Sequence, residues 1–580
     1  MATARRNAQP QQPPTPTVAA SPRVLELRKH LDQRLGGLLV DRMSWWSHWR
    51  EIADYMIPRR YRWLVSPNQA SRGTAINQRI IDNTATRAGR VLAAGMMSGI
   101  TSPGRPWFRL TLDDADLAAF GPVKIWLDEV TRRMLTVFAE SNFYTSLGTV
   151  YEDLGFFGTG NMIIYEDYDD VIRCYTSCAG EYFLANSDRL AVDTMYRQFV
   201  LTTGQMAKKF GAENCSEDVQ AAVRSGGAML SRELMIAHAI EPNDDQMQGM
   251  KGFRGMPYRE VYWEWGRSSD RVLSWRGFHE CPFIAPRWSI SGNDAYGRGP
   301  GMDALGDVKQ LQVEQKRKAQ AIDKMVNPPM VADIQLQNQP ASILPGGVTY
   351  VASLANDKPG FRPAYEVNPQ LREMLEDIKE VQGRIDSTFY VPLFMMLAQM
   401  EGVQPRNDLE VMERKEEKMI QLGPVIERFE NEALDPAIDR TFNIMLRAKL
   451  LPPIPRELQG QFIKAEYVSI LSQAQKAAMT AGIERLMTFV GRVGSVDPSA
   501  FDNIDTDETI EEYADMIGVP AKLVRPIADV MKLRKQRADA QAQQAALQQT
   551  VAAVQGAKTL SETDVGGGRN ALQAMVGAPS

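Results

Sequence analysis

Leu371, Met374, Leu375, Ile378, Val381 and Ile385 recur every three or four residues, which places one apolar stripe along a helix predicted over about Pro369–Phe389. Ahead of it a second helix of similar length is predicted over about Asp303–Val326, and this one is polar. Its Lys309, Lys316, Arg317, Lys318 and Lys324 are offset by Asp307, Glu314 and Asp323. At 1.5 Å per residue each helix spans roughly 30–36 Å. Between them Pro328–Asn368, with "ILPGGVTYV", reads as short strands and turns. A pair of helices carrying a small β-bearing module suits docking to a partner. An ordinary helical hairpin with a long loop is the competing reading.

Upstream, Val24–Met56 reads as a helix rich in Leu and Trp, with Trp45, Trp46 and Trp49 fitting a buried face rather than a base-stacking platform. Thr74–Met97 is small and apolar at helical spacing, "SPGRPWFRL" breaks the pattern, and Val123–Ala139 is an amphipathic helix behind Pro122. After Gly158 the texture turns to strands: "NMIIYEDYDDVIRCYT" as two strands around an acidic turn, then "EYFLANSD", "TMYRQFVLT", and a hairpin from "YREVYWEWGR" and "RVLSWRGF". Downstream, the segment from Asn407 to Pro455 reads as a long helix kinked at Pro424 and Pro436, with further helices to about Ala557. The fold class is α+β, predominantly helical.

A chain of 580 residues is too long for a single core and implies several structural units. Its net charge of -5 argues against a surface that holds DNA tightly by neutralising phosphates. Cys174, Cys178, Cys215 and Cys281 form neither a disulfide framework nor a zinc-like spacing, and the histidines are scattered. No metal and no cofactor are expected. The opening "MATARRNAQPQQPPTPTVAASP" lacks the apolar core of a signal peptide and reads as a disordered tail. The apolar runs Val91–Ile100 and Phe389–Met400 fall short of the ~20 residues of a membrane span, so no membrane partner is expected.

The stretch "YGRGPGMDALGDVKQLQ" from Tyr296 invites a phosphate-loop reading. It fails: no G-x-x-x-x-G-K-[ST] occurs, and Gly297, Gly299 and Gly301 miss the G-x-G-x-x-G spacing. The glycines instead shape a turn, with Asp303 capping or charging the helix start. No G-x-S-x-G elbow is present, "YEDYDD" reads as a solvated hairpin turn, and "DNIDTDETIEEYAD" lacks the glycine and spacing of a calcium loop. No catalytic residue is assigned. "FYVPLFMMLAQMEGVQPRND" is read as core filler or as an adaptable contact loop.

Four segments in order carry a family likeness: "WREIADYMIPRR", "IDNTATRAGRVLAAGMMSGITSPGRPWFRL", "YGRGPGMDALGDVKQLQ" and "LGPVIERFENEALDPAIDRTFNIMLRAKLLPP". Over about residues 25–470 the chain resembles the portal, or head-to-tail connector, proteins of short-tailed double-stranded DNA bacteriophages. The resemblance implies a homo-oligomeric ring, usually of twelve subunits, at one capsid vertex of the virion, assembled from chains made in the host cytoplasm. Double-stranded DNA enters and leaves through its channel. Implied partners are the terminase large subunit, major capsid and scaffold proteins, tail adaptor or tubular proteins, and internal core proteins at the crown. A DNA-processing enzyme or motor subunit, a nuclease or ATPase, is the alternative.

The resemblance divides the chain into a disordered tail (1–23), a wing (24–302), a first stem helix (303–327), a clip (328–367) and a second stem helix (368–389). A tunnel loop (390–407), wing helices (408–500), a helical crown (501–557) and a flexible tail (558–580) complete it. It makes Lys309, Lys316, Lys318, Lys324, Phe394, Met395, Met396 and Met400 candidates for lining the channel. Gly297, Gly299 and Gly301 become the stem hinge, and Pro328, Pro329, Pro345, Gly346 and Gly347 the clip docking surface. Twelve inner helices about 10 Å apart leave a bore near 28 Å, wide enough for a duplex of roughly 20 Å. A sliding duplex requires weak, balanced lining charge rather than a grip.

Overall fold

A computed structural model of the chain describes residues 22–65, 79–114, 117–118, 120–246, 252–266, 271–332, 361–363, 370–399, 422–458, 460–468, 482–493, 504–516 and 527–562. Along the chain, α1 (Pro22–Tyr55), α2 (Pro58–Val65) and α3 (Thr84–Gly99) precede β1 (Phe108–Leu112), α4 (Gly121–Glu140) and α5 (Phe143–Phe157). Then come β2 (Met162–Asp167), β3 (Val171–Thr176), β4 (Tyr182–Asn186), β5 (Val192–Thr202), α6 (Thr203–Phe210) and α7 (Glu217–Ser225). β6 (Glu233–Pro242), β7 (Tyr258–Glu264), β8 (Ser274–Phe278) and β9 (Phe283–Ile284) lead to α8 (Pro300–Asp303) and α9 (Leu305–Val326). β10 (Met330–Ala332), β11 (Phe361–Pro363), α10 (Leu371–Thr388), α11 (Val391–Gln399), α12 (Gly423–Phe429), α13 (Asp435–Arg447) and β12 (Ile463–Tyr467) follow. A helix at 482–493 (α14), α15 (Thr506–Met516) and α16 (Ile527–Glu562) end the described chain.

These elements form two compact units, one from residues up to Trp107 with Arg133–Leu451, the other from Phe108–Arg132 with Pro452 onward. In the first unit, α1 lies on an antiparallel sheet of order β4-β5-β6-β7-β8. Leu27, Leu31, Leu35 and Leu38 recur at helical spacing and bury against Phe183, Tyr196, Val261, Trp263 and Trp275. Arg42 of α1 donates to the carbonyls of Gly180 (3.1 Å) and Tyr182 (2.6 Å). Its guanidinium lies 4.5 Å from the Trp46 ring and 3.6 Å from that of Phe183. Trp49 is fully buried, whereas Trp45 and Trp46 are half-buried. Only part of the tryptophan face is therefore core.

The strand reading after Gly158 holds. β2 and β3 pair antiparallel from Met162↔Thr176 to Asp167↔Val171, and Asp167 Oδ1 accepts from the Asp169 (2.8 Å) and Asp170 (3.1 Å) amides to make the acidic turn. β7 and β8 form the expected hairpin pair. Two helix readings need correction. The helix expected over Thr74–Met97 begins at Thr84, because Asp82 Oδ1 takes the Thr84 amide (2.8 Å) and hydroxyl (2.6 Å) and turns the chain there; residues 66–78 lie outside the described residues.

The long helix expected from Asn407 is also different. Residues 400–421 lie outside the described residues, and Pro424 opens α12 instead of kinking a longer helix. Between α12 and α13 the turn Glu430–Leu434 is a π-helix, in which the Asp435 amide reaches the Glu430 carbonyl five residues back. Pro436 has no amide hydrogen for the carbonyl four residues earlier, and the widened turn ahead of it absorbs that loss.

α3 explains its own small residues. Its buried face carries Ala85, Ala88, Gly89, Leu92, Ala93 and Met96. A Cβ on Gly89 would overlap the Phe156 ring, and one on Gly95 would overlap Phe394. The small positions let α5 and α11 approach the α3 backbone.

In the second unit β1 pairs with β12 from Phe108↔Tyr467 to Leu112↔Ile463. Trp126 Nε1–H donates to the Pro452 carbonyl at 3.2 Å. Tyr513 hydroxyl donates to Glu484 at 2.6 Å, tying α15 to α14, and Arg534 of α16 grips both oxygens of Asp507 at 2.6 and 2.7 Å. Asp505 accepts from the Asp507 and Glu508 amides at 3.0 and 3.1 Å, so the acidic stretch is a helix start, as read.

The five-stranded sheet holds a buried polar knot. Arg197 Nε–H donates to His238 Nδ1 at 2.9 Å, which leaves Nε2 carrying the imidazole proton toward Glu260 Oε1, also 2.9 Å away. Tyr262 stacks on the imidazole with centroids 3.9 Å apart, and Tyr165 hydroxyl donates to Glu260 at 2.6 Å. Burial and the Arg197 charge push His238 down to about 3, and Glu260 sits at about 2 because its hydrogen bonds from His238 and Tyr165 outweigh burial. An unfolded histidine takes a proton near 6.5 and the folded one does not, so this knot stabilises fully above that pH and loses its contribution as pH falls from about 6.5 toward 3. Thermal melts of the parent chain and His238→Gln are expected to differ most at pH 7 and to converge by pH 4.5. A gap that stays constant across that range would contradict the assignment.

Candidate functional site

The turn from Tyr296 is built by backbone lying on backbone. α5 ends at Gly158, which adopts φ +72°, a left-handed conformation suited to glycine. Against it lie Gly297, Gly299 and Gly301. A Cβ on Gly299 would stand 2.8 Å from Gly158 Cα and from the Leu154 carbonyl, and one on Gly301 would overlap the Phe156 carbonyl. The Gly297 amide donates to Thr159 Oγ1 (2.8 Å), the Trp288 amide to the Gly158 carbonyl (2.9 Å) and the Arg298 amide to the Ser289 carbonyl (2.7 Å). Every glycine of the would-be phosphate loop faces backbone of the same chain, chiefly the end of α5. Tyr296 packs edge-on to Trp49 at 5.1 Å, and its hydroxyl oxygen accepts the Leu184 amide N–H at 3.0 Å. The turn is thus fixed to α1, α5 and the sheet at once.

Asp303 does not cap the following helix. It ends α8 and accepts from Arg298 Nε at 2.7 Å, while Ala304 precedes α9 with no side-chain cap. α9 and α10 then run antiparallel: Arg384 near the end of α10 bonds Asp307 near the start of α9 at 3.2 Å. β10 and β11, which fall between the two helices in the chain, pair from Met330↔Pro363 to Ala332↔Phe361. Leu305, Val308, Leu311 and Gln312 are the buried residues of α9; Ile378, Val381 and Ile385 are those of α10. Of the apolar stripe read in sequence, Leu375 is exposed, so burial stops short of the distal half. Val313, Ile322, Met325 and Val326 are likewise exposed apolar side chains on α9.

The pair is tied to the body by a polar cluster that sequence reasoning missed. Gln312 Oε1 accepts the Ile81 (2.6 Å) and Asp82 (2.8 Å) amides, and its Nε2 donates to the Asp82 carbonyl (2.9 Å). Asp82 Oδ2 accepts from Gln315 Nε2 and Gln382 Nε2, each at 2.9 Å. Burial of Asp82 is outweighed by these bonds and those from Thr84, which hold its carboxyl below the usual range. Among the described residues no group of three or more His, Cys, Asp or Glu is placed to hold a metal ion, and no helix is long and apolar enough to cross a membrane.

Residues 28–524 match the family model for "Bacteriophage head to tail connecting protein". The chain belongs to that family. It is 45% identical over 536 residues to the "Probable portal protein" of Bordetella phage BPP-1, covering 92% of this chain and 95% of that one. It is also 45% identical over 538 residues to the "Portal protein" of Salmonella phage epsilon15, covering 92% and 96%. A solved chain from the "Virion of native gene transfer agent (GTA) particle" aligns over 74% of this chain and 99% of that chain, with 12% identity and a TM-score of 0.28, a likeness too distant to inform the fold. The role of the chain is that of a portal, the connector between phage head and tail.

The lysine candidates for lining the channel lie on more than one face of α9. Lys309 is engaged within the chain, its Nζ 2.8 Å from Glu51. Lys316 and Lys324 are exposed, but Lys318 is half-buried and lies about 160° around the helix from Lys316 at 100° per residue. The segment read as a tunnel loop starts as a helix: α11 takes up Val391–Gln399. Phe394 is buried against Gly95, whereas Met395 is exposed. The Met396 side chain, Met400, Pro345, Gly346 and Gly347 lie outside the described residues; Pro328 and Pro329 directly follow α9 and are half-buried and exposed.

Gly301→Ala is expected to lower the melting temperature and cost about 1–3 kcal/mol, because the added methyl meets backbone that cannot rotate away. Gly306→Ala, in the next helix and with nothing within 4 Å of the new methyl, is the control and should be neutral or stabilising. Equal melting temperatures for the two variants would contradict the backbone contact.

Proposed function

We propose that copies of this chain form a closed ring, of twelve subunits as the family resemblance implies, around a channel that passes double-stranded DNA in both directions. α9 and α10 are its stem, and the module between them is the clip that meets the terminase large subunit and later the tail proteins. The sheet-bearing part and the helices up to residue 500, α14 included, are the wing, and α15 and α16 belong to the crown. Major capsid and scaffold proteins surround the ring, and internal core proteins meet the crown. The chain acts as a structural conduit rather than an enzyme.

One observation carries this reading. α9 and α10 are rooted at one end and leave Val313, Ile322, Met325, Val326 and Leu375 exposed beyond the root. Apolar side chains left exposed along a helical pair fit packing between neighbouring copies around an axis. The alternation of Lys316, Arg317, Lys318 and Lys324 with Glu314 and Asp323 fits a weakly held duplex.

Negative-stain imaging of the purified chain is expected to show rings with a central hole; compact monomers without one would overturn the reading. ATP hydrolysis above background would favour the motor alternative. In single-molecule packaging, Lys316→Glu with Lys324→Glu is expected to change the salt dependence and slow translocation without stopping it. A complete stop would mean that these side chains grip the duplex.

A further inference from the structure

Asp82 lies in the turn before α3, far in sequence from both helices of the pair, yet all its polar groups are committed to them or to its own turn. Oδ1 accepts two bonds from Thr84, at 2.8 and 2.6 Å. Oδ2 accepts one from Gln315 on α9 and one from Gln382 on α10. Its amide and carbonyl both meet the Gln312 side chain, at 2.8 and 2.9 Å. The Gln312 amide can be fitted in one orientation only, since its oxygen takes two N–H groups while its nitrogen gives to a carbonyl.

The position of this cluster matters as much as its bonds. On α9 the fully buried residues end at Gln312, and from Lys316 to Val326 every side chain is half-buried or exposed. Gln315 and Gln382 are thus the most distal of the bonds described here that hold each helix to the body. A second contact from α3, Arg87 to Asp386 at 2.8 Å, lies on the root side of Gln382 and in solvent, where an ion pair is worth little. Beyond Asp82 the two helices have each other and the β10–β11 pairing.

We infer that Asp82 is the positioning residue of the stem: one carboxylate oxygen bonds both helices at the level where they leave the body and fixes the direction in which they leave. This deepens the stem reading above and rests on it for its functional meaning, but the bonding claim stands within a single chain. Neutral amides hold the carboxylate, so the tether depends on hydrogen-bond geometry rather than on ion pairing. Asp82→Asn keeps an oxygen for Thr84, and the Gln315 and Gln382 amides can turn their oxygens to its NH₂ group. Asp82→Leu keeps the branched outline of the side chain, with larger methyl groups in place of the oxygens, and makes none of these bonds.

Hydrogen–deuterium exchange of the purified full-length chain tests this without requiring a ring or DNA. Asp82→Leu is expected to raise exchange in peptides from 313–326 and 371–382 by about ten-fold, the scale expected when local opening loses two or so hydrogen bonds. Peptides from β5–β7 should stay at the parental rate, and Asp82→Asn should stay near the parent throughout. If Asp82→Leu does not fold, Gln315→Leu with Gln382→Leu leaves Asp82 and Thr84 intact and should open the same peptides. Unchanged exchange there, a uniform rise across the chain, or an Asp82→Asn pattern matching Asp82→Leu would each overturn the inference. Because imaging reports the ring and exchange reports the tether, failure of one is distinguishable from failure of the other.

Discussion

At Gly158, Gly297, Gly299 and Gly301 the backbones of Phe156–Gly158 and Gly297–Gly301 lie closer together than a side chain would allow, and the geometry of the helical pair follows from that contact. The Gly158 carbonyl accepts from Trp288, the Gly297 amide donates to Thr159, and Gly301 rests on the Phe156 carbonyl. The contact fixes where α8 starts and hence where α9 sets out. It also has support on three sides. α1 presses Trp49 onto Tyr296, the sheet offers the Leu184 amide to the Tyr296 hydroxyl, and Glu432 in the π-helical turn holds Arg287 through both oxygens, at 2.6 and 3.2 Å. Arg287 in turn donates to the Leu190 carbonyl at 3.0 Å. A turn so over-determined is rigid, which suits a joint that must hold direction rather than open and close on a ligand.

Rigidity at the root contrasts with sparse anchoring further out. Burial on α9 ends within its first three turns, and only amide-to-carboxylate bonds at Asp82 follow. A helix pair held by apolar packing at its base and by a few exchangeable hydrogen bonds at its exit can tilt by small amounts without losing its root. In the channel proposed above such adjustment would sit at the bore, while the glycine turn keeps its contacts with α1 and the sheet.

Much of this was legible from local pattern. The stripe Leu371–Ile385 marked α10, the acidic turn between β2 and β3 was set by Asp167, and the β7–β8 hairpin followed from alternating aromatics. Such features depend on residues near one another in the chain. The misses depend on distant ones. Thr84 starts α3 because of Asp82, whose own position is set by Gln312 and Gln382, more than two hundred residues away. For Phe394 sequence left core filler and adaptable contact loop both open, and what decides for core is distant: Gly95 leaves a gap on α3 that its ring fills. The lysines of α9 looked like one lining, but helical geometry spreads them and Glu51 claims Lys309.

The same distinction explains why glycine spacing was ambiguous at Tyr296–Gly301. A phosphate cradle and a backbone crossing both need residues without a Cβ, since each brings main chain or ligand to within about 3–4 Å of the turn. Sequence records the missing side chains and not what occupies the space. In this chain the occupant is the end of α5, and the Gly297 and Arg298 amides of the turn are spent on Thr159 and Ser289. The property that makes a loop receptive to a nucleotide is used here to weld the launching point of a helix to the body of the connector.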